Sequence, residues 1–177
     1  MALNATIYKA EVQVSDLDRH YYQQHHLTLA RHPSETELRL MVRLLAFCCH
    51  ASEELTFTKD LFDPDEPALW AKDLTGQIML WIDLGQPDEK RILKACGRAA
   101  KVIVLCYQPS SPLWWSQVKS KLTRASNLQV VYLPAEQGAE LTAMAERSMQ
   151  VNCMIEEQQV FLSNGTRNLQ LEFETWL

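Results

Sequence analysis

The chain has 177 residues, of which 47% are apolar and 22% are charged, and its net charge is −5. This composition is typical of a soluble globular protein with one domain of usual size. The acidic balance argues against a protein that coats nucleic acid non-specifically, because phosphate contacts need clustered Lys and Arg, although it leaves room for a local basic groove. We see no signal-peptide pattern and no apolar stretch of the roughly 18 residues that a membrane helix needs. We therefore expect a cytoplasmic protein without a membrane partner.

The first predicted elements are two strands and a helix. Residues 5–14 alternate between apolar and polar side chains as a strand does, and residues 19–30 follow as its hairpin partner. Ser34 and Glu37 have the spacing of a capping box, which predicts a helix over about 34–51. Apolar side chains cover most of the circumference of this helix, as is typical of a helix enclosed between two layers.

The middle of the chain alternates strands with helices. A short strand at 53–58 precedes a segment rich in Pro and Asp at 59–70. The next predicted elements are a strand at 77–84, a helix near 87–97, a strand at 100–108, a helix that ends near 125 and a strand at 128–134. The continuous apolar run at 100–108 is typical of a central parallel strand.

The last part of the chain returns to strands. A helix is predicted over 135–149, and three strands follow it to the end of the chain. The whole layout is β-β-α-β-β-α-β-α-β-α-β-β-β. It predicts a single α/β domain over 1–177, in which one mixed β-sheet has a parallel centre and antiparallel N- and C-terminal strands.

Acidic side chains are predicted to meet at one edge of this sheet. Asp83 ends an apolar strand, and ligand sites of α/β sheets cluster at the carboxyl ends of strands. The acidic loop 63–66 precedes this strand and can bring a second carboxylate beside Asp83, and Glu37 can point into the same layer. Converging carboxylates need a hard cation, so the sequence predicts a magnesium site. Lys90 would offset charge there and orient the nucleophile.

A second interpretation of the same residues needs no ligand. Asp83 or Gln86 would cap the helix that follows, and Asp88 and Glu89 would complement its dipole. Glu37 would only complete its capping box. The acidic loop would be a solvated turn. The residues alone leave both interpretations open.

Basic residues form two sets in the predicted helices. The sets are Arg91, Lys94 and Arg98 in the first helix, and Lys119, Lys121 and Arg124 in the next. We expect each set to be a solvated helix face, because neither has the density of a nucleic-acid-binding surface.

Three long segments carry a family resemblance. They are MALNATIYKAEVQVSDLDRHYYQQHHLTLARHPSETELRLMVRLLAFCCHA, FTKDLFDPDEPALWAKDLTG and WIDLGQPDEKRILKACGRA. On these strings the chain resembles the YaeQ family of small bacterial proteins over essentially its full length. The resemblance implies a variant of the PD-(D/E)xK nuclease fold, with a nuclease-like core at about 34–134 and β-strand additions at 1–30 and 149–177.

The nuclease pattern implied by this resemblance has an acid after a proline, followed by acid-x-lysine on the next strand. Pro64-Asp65 resembles the first part, and Asp83-Leu84 resembles the acid and the x of the second. Gly85 stands where the lysine is expected. Gln86 and Lys90 are the possible substitutes for that lysine.

The leading hypothesis is therefore a magnesium-dependent phosphodiester hydrolase that acts on nucleic acid. The expected roles are magnesium binding by Asp65 and Asp83, a further ligand or a hydrogen bond to a ligand from Glu66 or Glu37, and positioning of water or phosphate by Gln86 and Lys90. The alternative is a catalytically inactive nuclease-fold protein that acts as a regulatory or interaction module. The missing lysine and the net charge of −5 favour this alternative.

Overall fold

The computed structural model describes residues 4–59 and 63–177. These residues form an α/β structure with two mixed β-sheets and four α-helices. The chain divides into two compact units. The first unit comprises 1–51 and 136–172, and the second comprises 52–135 and 173–177. No helix in the described part of the chain is long and apolar enough to cross a membrane.

In chain order, the elements are β1 (Thr6–Asp16), β2 (Tyr21–Arg31), α1 (Glu37–Cys49), β3 (Leu55–Phe57), β4 (Leu69–Lys72), β5 (Ile78–Leu84), α2 (Glu89–Arg98), β6 (Ala99–Cys106), α3 (Ser111–Leu122), β7 (Leu128–Tyr132), α4 (Ala135–Thr142), β8 (Ser148–Glu156), β9 (Gln159–Ser163), β10 (Asn168–Glu172) and β11 (Glu174–Thr175).

The first unit contains a five-stranded sheet with the order β10-β9-β8-β1-β2. The strands β1 and β2 form an antiparallel hairpin, and β1 pairs in parallel with β8. Ala10, Val12 and Val14 are buried along β1 while the residues between them are exposed, which is the period-2 pattern of a sheet with one covered face. The helix α1 is buried from Leu40 to Cys48, as its nearly continuous apolar surface predicts.

The second unit contains a six-stranded sheet with the order β11-β7-β6-β5-β4-β3. Its centre is parallel, because β6 pairs in parallel with both β5 and β7. The helices α2 and α3 connect these strands and pack on the same face of the sheet. The core on that face combines Trp81 of β5, Ile92 of α2, Val104 of β6, Trp115 of α3 and Val130 of β7.

The structure confirms the parallel centre and corrects the prediction of a single sheet. The N- and C-terminal strands pair with each other through β1 and β8, so they form a separate sheet instead of extending the central one. A pairing between residues about 140 positions apart leaves no local trace in the sequence. The predicted core boundaries at about 34–134 stay a prediction.

Two local predictions are also corrected. The helix α1 begins at Glu37, because the side chain of Thr36 accepts a hydrogen bond from the Arg39 N–H at 3.1 Å and is the N-cap. Ser34 instead hydrogen-bonds His32 through its side chain. The sequence does not predict the strand β4, because it has only four residues and directly follows the acidic loop with its prolines. The loop residues hide the apolar pattern of so short a strand.

Candidate functional site

Asp83 lies near the end of β5 and is paired with an arginine. Its side chain is buried, and its two carboxylate oxygens accept parallel hydrogen bonds from Arg91. The distances are 3.0 Å from Nε to Oδ2 and 2.9 Å from Nη2 to Oδ1. Arg91 reaches Asp83 because it lies in the first turn of α2, only a short turn after the end of β5. This two-point, charge-assisted contact is the strong form of a carboxylate–arginine pair.

Arg91 also holds the acidic loop that precedes β4. Its Nη1 donates to the carbonyl oxygen of Pro64 at 2.9 Å, and its Nη2 donates to the carbonyl oxygen of Glu66 at 2.7 Å. One guanidinium therefore uses all three of its nitrogens to join the strand end to the loop. Because the donors of a guanidinium have a fixed planar geometry, this contact restrains the direction of the loop as well as its distance from Asp83.

Asp65 lies in this loop and faces α2. Its carboxylate accepts a bond from the Lys94 ammonium at 3.1 Å, and its backbone carbonyl accepts one from Arg98 at 2.9 Å. The structure thus brings Asp65 and Asp83 to the same helix, and basic residues of α2 stand against each of them.

The other predicted site residues lie in different surroundings. Gln86 donates from its side-chain amide to the Ser110 hydroxyl at 2.7 Å, just before α3. Lys90 is exposed on α2. Glu66 contributes its backbone carbonyl to the site and Glu37 is the exposed first residue of α1, in the first unit. The structure corrects the expected cap of α2, because Asp88 is the N-cap and accepts from the Arg91 N–H at 2.8 Å.

Gly85 makes the turn that ends β5. Its φ is +90°, and its N–H donates to the carbonyl oxygen of Leu105 at 2.9 Å. A Cβ at this position would meet only ordinary contacts, the nearest at 3.8 Å, so the backbone conformation and not crowding favours glycine here. A lysine side chain at the position where the nuclease pattern expects it would therefore strain this turn.

A magnesium ion at these residues would compete with basic side chains that already contact both carboxylates. Both oxygens of Asp83 already accept from Arg91, and the Asp65 carboxylate accepts from Lys94. Each of these oxygens keeps a second lone pair, but a magnesium ion bound there would meet the positive charge of Arg91 or Lys94 directly beside it. Within 4–59 and 63–177 no three His, Cys, Asp or Glu side chains are grouped so that they could hold a metal ion.

A cationic cleft of about 300 Å³ lies along α2 beside the Asp83–Arg91 pair. Its lining includes Trp81 and four basic side chains, which are Lys90, Arg91, Lys94 and Arg98. The guanidinium carbons of Arg91 and Arg98 lie 5.8 Å and 5.1 Å from the centre of the Trp81 ring. Such cation–aromatic contacts hold the two guanidinium groups over the apolar side of the cleft.

Sequence reasoning missed this cleft, because it treated the basic residues of α2 as a solvated face. A local signal was present. Lys90, Lys94 and Arg98 recur every four residues, which places them on one ridge of a helix.

Comparisons with known proteins agree on one family. The model of the YaeQ protein family matches residues 1–173. The "Uncharacterized protein YaeQ" of Escherichia coli (strain K12) is 46% identical over 177 residues, with 99% of this chain and 98% of that protein covered. The protein of the same name from Salmonella typhi is 45% identical over the same length, with the same shares covered.

Solved structures give the same result. The crystal structure of the YaeQ protein from Xanthomonas axonopodis pv. citri matches with a TM-score of 0.94 and 42% identity, covering 97% of this chain and 98% of that one. The crystal structure of the YaeQ protein from Pseudomonas syringae matches with a TM-score of 0.93 and 34% identity, covering 98% of this chain and 96% of that one.

Proposed function

The chain belongs to the YaeQ family, and we propose that it is a non-catalytic interaction module built on a variant of the PD-(D/E)xK nuclease core. One observation carries the proposal. The carboxylate at the end of β5, where the nuclease pattern needs a metal ligand, is neutralised by Arg91 in a buried, two-point ion pair. An arginine in this place supplies the positive charge that a metal ion would otherwise supply, without activating water.

Four features support this function over hydrolysis. The oxygens of Asp83 are taken by Arg91, and the Asp65 carboxylate pairs with Lys94 at the surface. Gly85 occupies the place of the lysine in a turn with φ of +90°. Gln86 donates to Ser110 before α3, so its amide is already engaged away from Asp83. The Asp83, Gly85 and Gln86 arrangements each remove a group that metal-dependent hydrolysis would need, whereas the exposed Asp65–Lys94 pair is the weakest of the four obstacles.

Magnesium-dependent phosphodiester hydrolysis is the rival proposal. It is favoured by Lys90, which has no ion pair among the described residues and lines the cleft next to Arg91. This function would require Arg91 to release Asp83, because a magnesium ion on the same carboxylate would be repelled by the adjacent guanidinium. The cost of that release is the loss of a largely buried, charge-assisted pair, which stands against the rival.

Metal titration and a cleavage assay on the same samples separate the two functions. Magnesium and manganese are titrated calorimetrically into the wild type, Asp83→Asn and the exposed-carboxylate control Glu53→Gln. Cleavage of single-stranded and duplex DNA and RNA is followed with each metal. We expect no saturable heat and no cleavage in any of the three proteins.

One result would establish the hydrolase instead of the non-catalytic module. Saturable heat and metal-dependent cleavage that occur in the wild type and in Glu53→Gln, but are lost in Asp83→Asn, would establish the hydrolase and exclude the non-catalytic module. Circular dichroism of each variant verifies that the comparison is made between folded proteins.

A further inference from the structure

The basic residues of the chain are unevenly distributed. From Lys90 to Ala135 the sequence contains eight Lys and Arg residues and no Asp or Glu, although the whole chain has a net charge of −5. This segment runs through α2, β6 and α3 to the start of α4. A strong local excess of positive charge therefore exists inside an acidic protein, and local charge rather than net charge decides where an anion binds.

Four of these residues form one surface on α2, which we name the α2 basic face. Its members are Lys90, Arg91, Lys94 and Arg98, and all four line the cleft beside Trp81. Lys90, Lys94 and Arg98 form a ridge with a rise of about 6 Å from each residue to the next. Lys121 of α3 pairs with Glu89 at the start of α2 at 3.0 Å, so these two side chains add no net charge to the face.

The positive charge of this face is only partly compensated. Asp83 neutralises Arg91, whereas Lys94 and Asp65 form a surface pair in which both side chains are 65% exposed. Such exposed pairs contribute little and are easily exchanged for another anion. Lys90 and Arg98 have no carboxylate partner among the described residues, and Asp88 is the one acidic side chain in the cleft lining within the described ranges. The Asp88 carboxylate is turned to the N–H groups of α2 as its cap.

The chemistry of the face favours phosphate groups over a protein partner. Protein–protein interfaces have apolar centres and are depleted in Lys, whereas two of the four members here are lysines. A row of cations at regular steps along an open cleft is suited to the repeated single charges of a phosphodiester chain. Although Arg and Lys can also bind the guanine edge, these cations repeat along a helix ridge as phosphates repeat along a backbone, so we expect their contacts to position the backbone and to carry little sequence information.

We propose that the α2 basic face binds the phosphodiester backbone of a nucleic acid, with Lys90, Lys94 and Arg98 contacting successive phosphates. This inference rests on the proposed function, because it gives the interaction module its partner and requires neither metal nor hydrolysis. Arg91 keeps its place on Asp83 during binding and shapes the cleft by holding the loop at Pro64 and Glu66. With three phosphate contacts, binding is expected to be weak and dependent on salt.

Fluorescence anisotropy in EDTA tests the proposal without interference from metal-dependent cleavage. Labelled single-stranded and duplex DNA and RNA of about 20 nucleotides are titrated with the full chain between about 50 and 200 mM salt, the range over which phosphate contacts weaken measurably. The test variant is Lys90→Gln/Lys94→Gln. The matched control is Lys9→Gln/Arg167→Gln, which removes the same charge from exposed positions of the first unit. An acidic polyglutamate peptide of equal charge competes with the nucleic acid.

We expect the wild type to bind at least one of these nucleic acids, with a Kd on the order of 10⁻⁴ to 10⁻⁶ M at physiological salt. The test variant should bind about tenfold more weakly at the lowest salt concentration, and the slope of log K against log salt should fall by about 2. The control variant should stay within about twofold of the wild type.

Three results would overturn the inference. They are absence of binding at the lowest salt concentration, equal weakening in the test and control variants, and stronger competition by the acidic peptide than by unlabelled nucleic acid. None of these results affects the proposed lack of hydrolysis. Conversely, cleavage in the metal assay would overturn the proposed function while leaving binding at this face intact.

Discussion

Each unit buries a carboxylate and neutralises it with arginine. In the first unit, Glu35 accepts from Arg39 at 2.5 Å and from Arg43 at 2.7 Å, and Arg43 also donates to the carbonyl oxygen of Ala30 at 3.1 Å. In the second unit, Asp83 accepts twice from Arg91, which also donates to carbonyl oxygens of the acidic loop. The same device therefore appears twice, with an arginine linking a buried acid to a neighbouring piece of backbone.

The two networks differ in their access to solvent. The side chain of Arg43 is 8% exposed, and burial lowers the pKa of its guanidinium although Glu35 acts in the opposite direction. The side chain of Arg91 is 26% exposed and lines a cleft. Arg39, the second partner of Glu35, is 21% exposed, so the two networks differ chiefly in that Arg91 lines a cleft. A buried acid in this chain is thus not by itself a sign of catalysis. Of the two networks, the one at Asp83 lies where a ligand can reach it.

The largest expected effect on stability is in the network of Glu35 with Arg39 and Arg43. Glu35→Gln leaves the buried charge of Arg43 without a carboxylate, so we expect a loss of about 3–5 kcal/mol in the free energy of unfolding. The measurement is urea denaturation followed by far-ultraviolet circular dichroism. Glu37→Gln, an exposed carboxylate two residues away, is the control and should cost less than about 1 kcal/mol. Equal losses in the two variants would mean that the buried pairing is unimportant.

The same experiment shows whether the units unfold together. All five tryptophans belong to the second unit, at positions 70, 81, 114, 115 and 176. Tryptophan fluorescence therefore reports on that unit alone, whereas circular dichroism reports on both. If the Glu35→Gln transition shifts equally by both methods, the units unfold as one cooperative structure.

Breaking the Asp83–Arg91 pair should reduce the free energy of unfolding by a smaller amount. Arg91→Met leaves Asp83 buried without a counter-charge, but water from the cleft can approach it, so we expect a loss near the lower end of about 3–5 kcal/mol. The variant Arg91→Met/Asp83→Leu removes both charges and should recover most of that loss, because an apolar pair can replace a buried ion pair. Tryptophan fluorescence in urea measures both. Asp83→Leu is measured as the other single variant. If the double variant lost as much stability as Arg91→Met and Asp83→Leu lose together, the two residues would not be coupled.

The end of β5 could be predicted from sequence, but its partner could not. The apolar run and the following Gly85-Gln86-Pro87 show where the strand ends and that Asp83 stands there. The identity of the group facing Asp83 depends on the rotation of α2 about its axis, which a small change in the length of the turn would alter. The acid therefore suggested a metal ion, while the structure places the guanidinium of Arg91 on it.

Contacts between residues that are far apart in the sequence also could not be predicted from local sequence patterns. A side-chain cap at the start of α2 could be predicted, because it involves neighbouring residues. The structure shows Asp88 as this cap, where Asp83 or Gln86 is expected. The loop carbonyls that Arg91 and Arg98 bind are more than 20 residues away. Every residue has a backbone carbonyl, so no pattern of residue types could indicate that these two arginines donate hydrogen bonds to these particular carbonyls.

The smallest expected effect concerns Asp65, whose carboxylate faces Lys94 at the surface. Both side chains are 65% exposed, so Asp65→Asn should cost only about 0.2–1 kcal/mol, and less at high salt because the pair is screened. The backbone carbonyl of residue 65 still accepts from Arg98 in this variant, so the loop keeps that attachment. Urea denaturation at low and at high salt, followed by tryptophan fluorescence, measures the difference, with Lys94→Gln as the matched variant from the other side of the pair. A loss as large as that of Arg91→Met would show that Asp65 does more than form a surface pair, and would favour a shared role with Asp83.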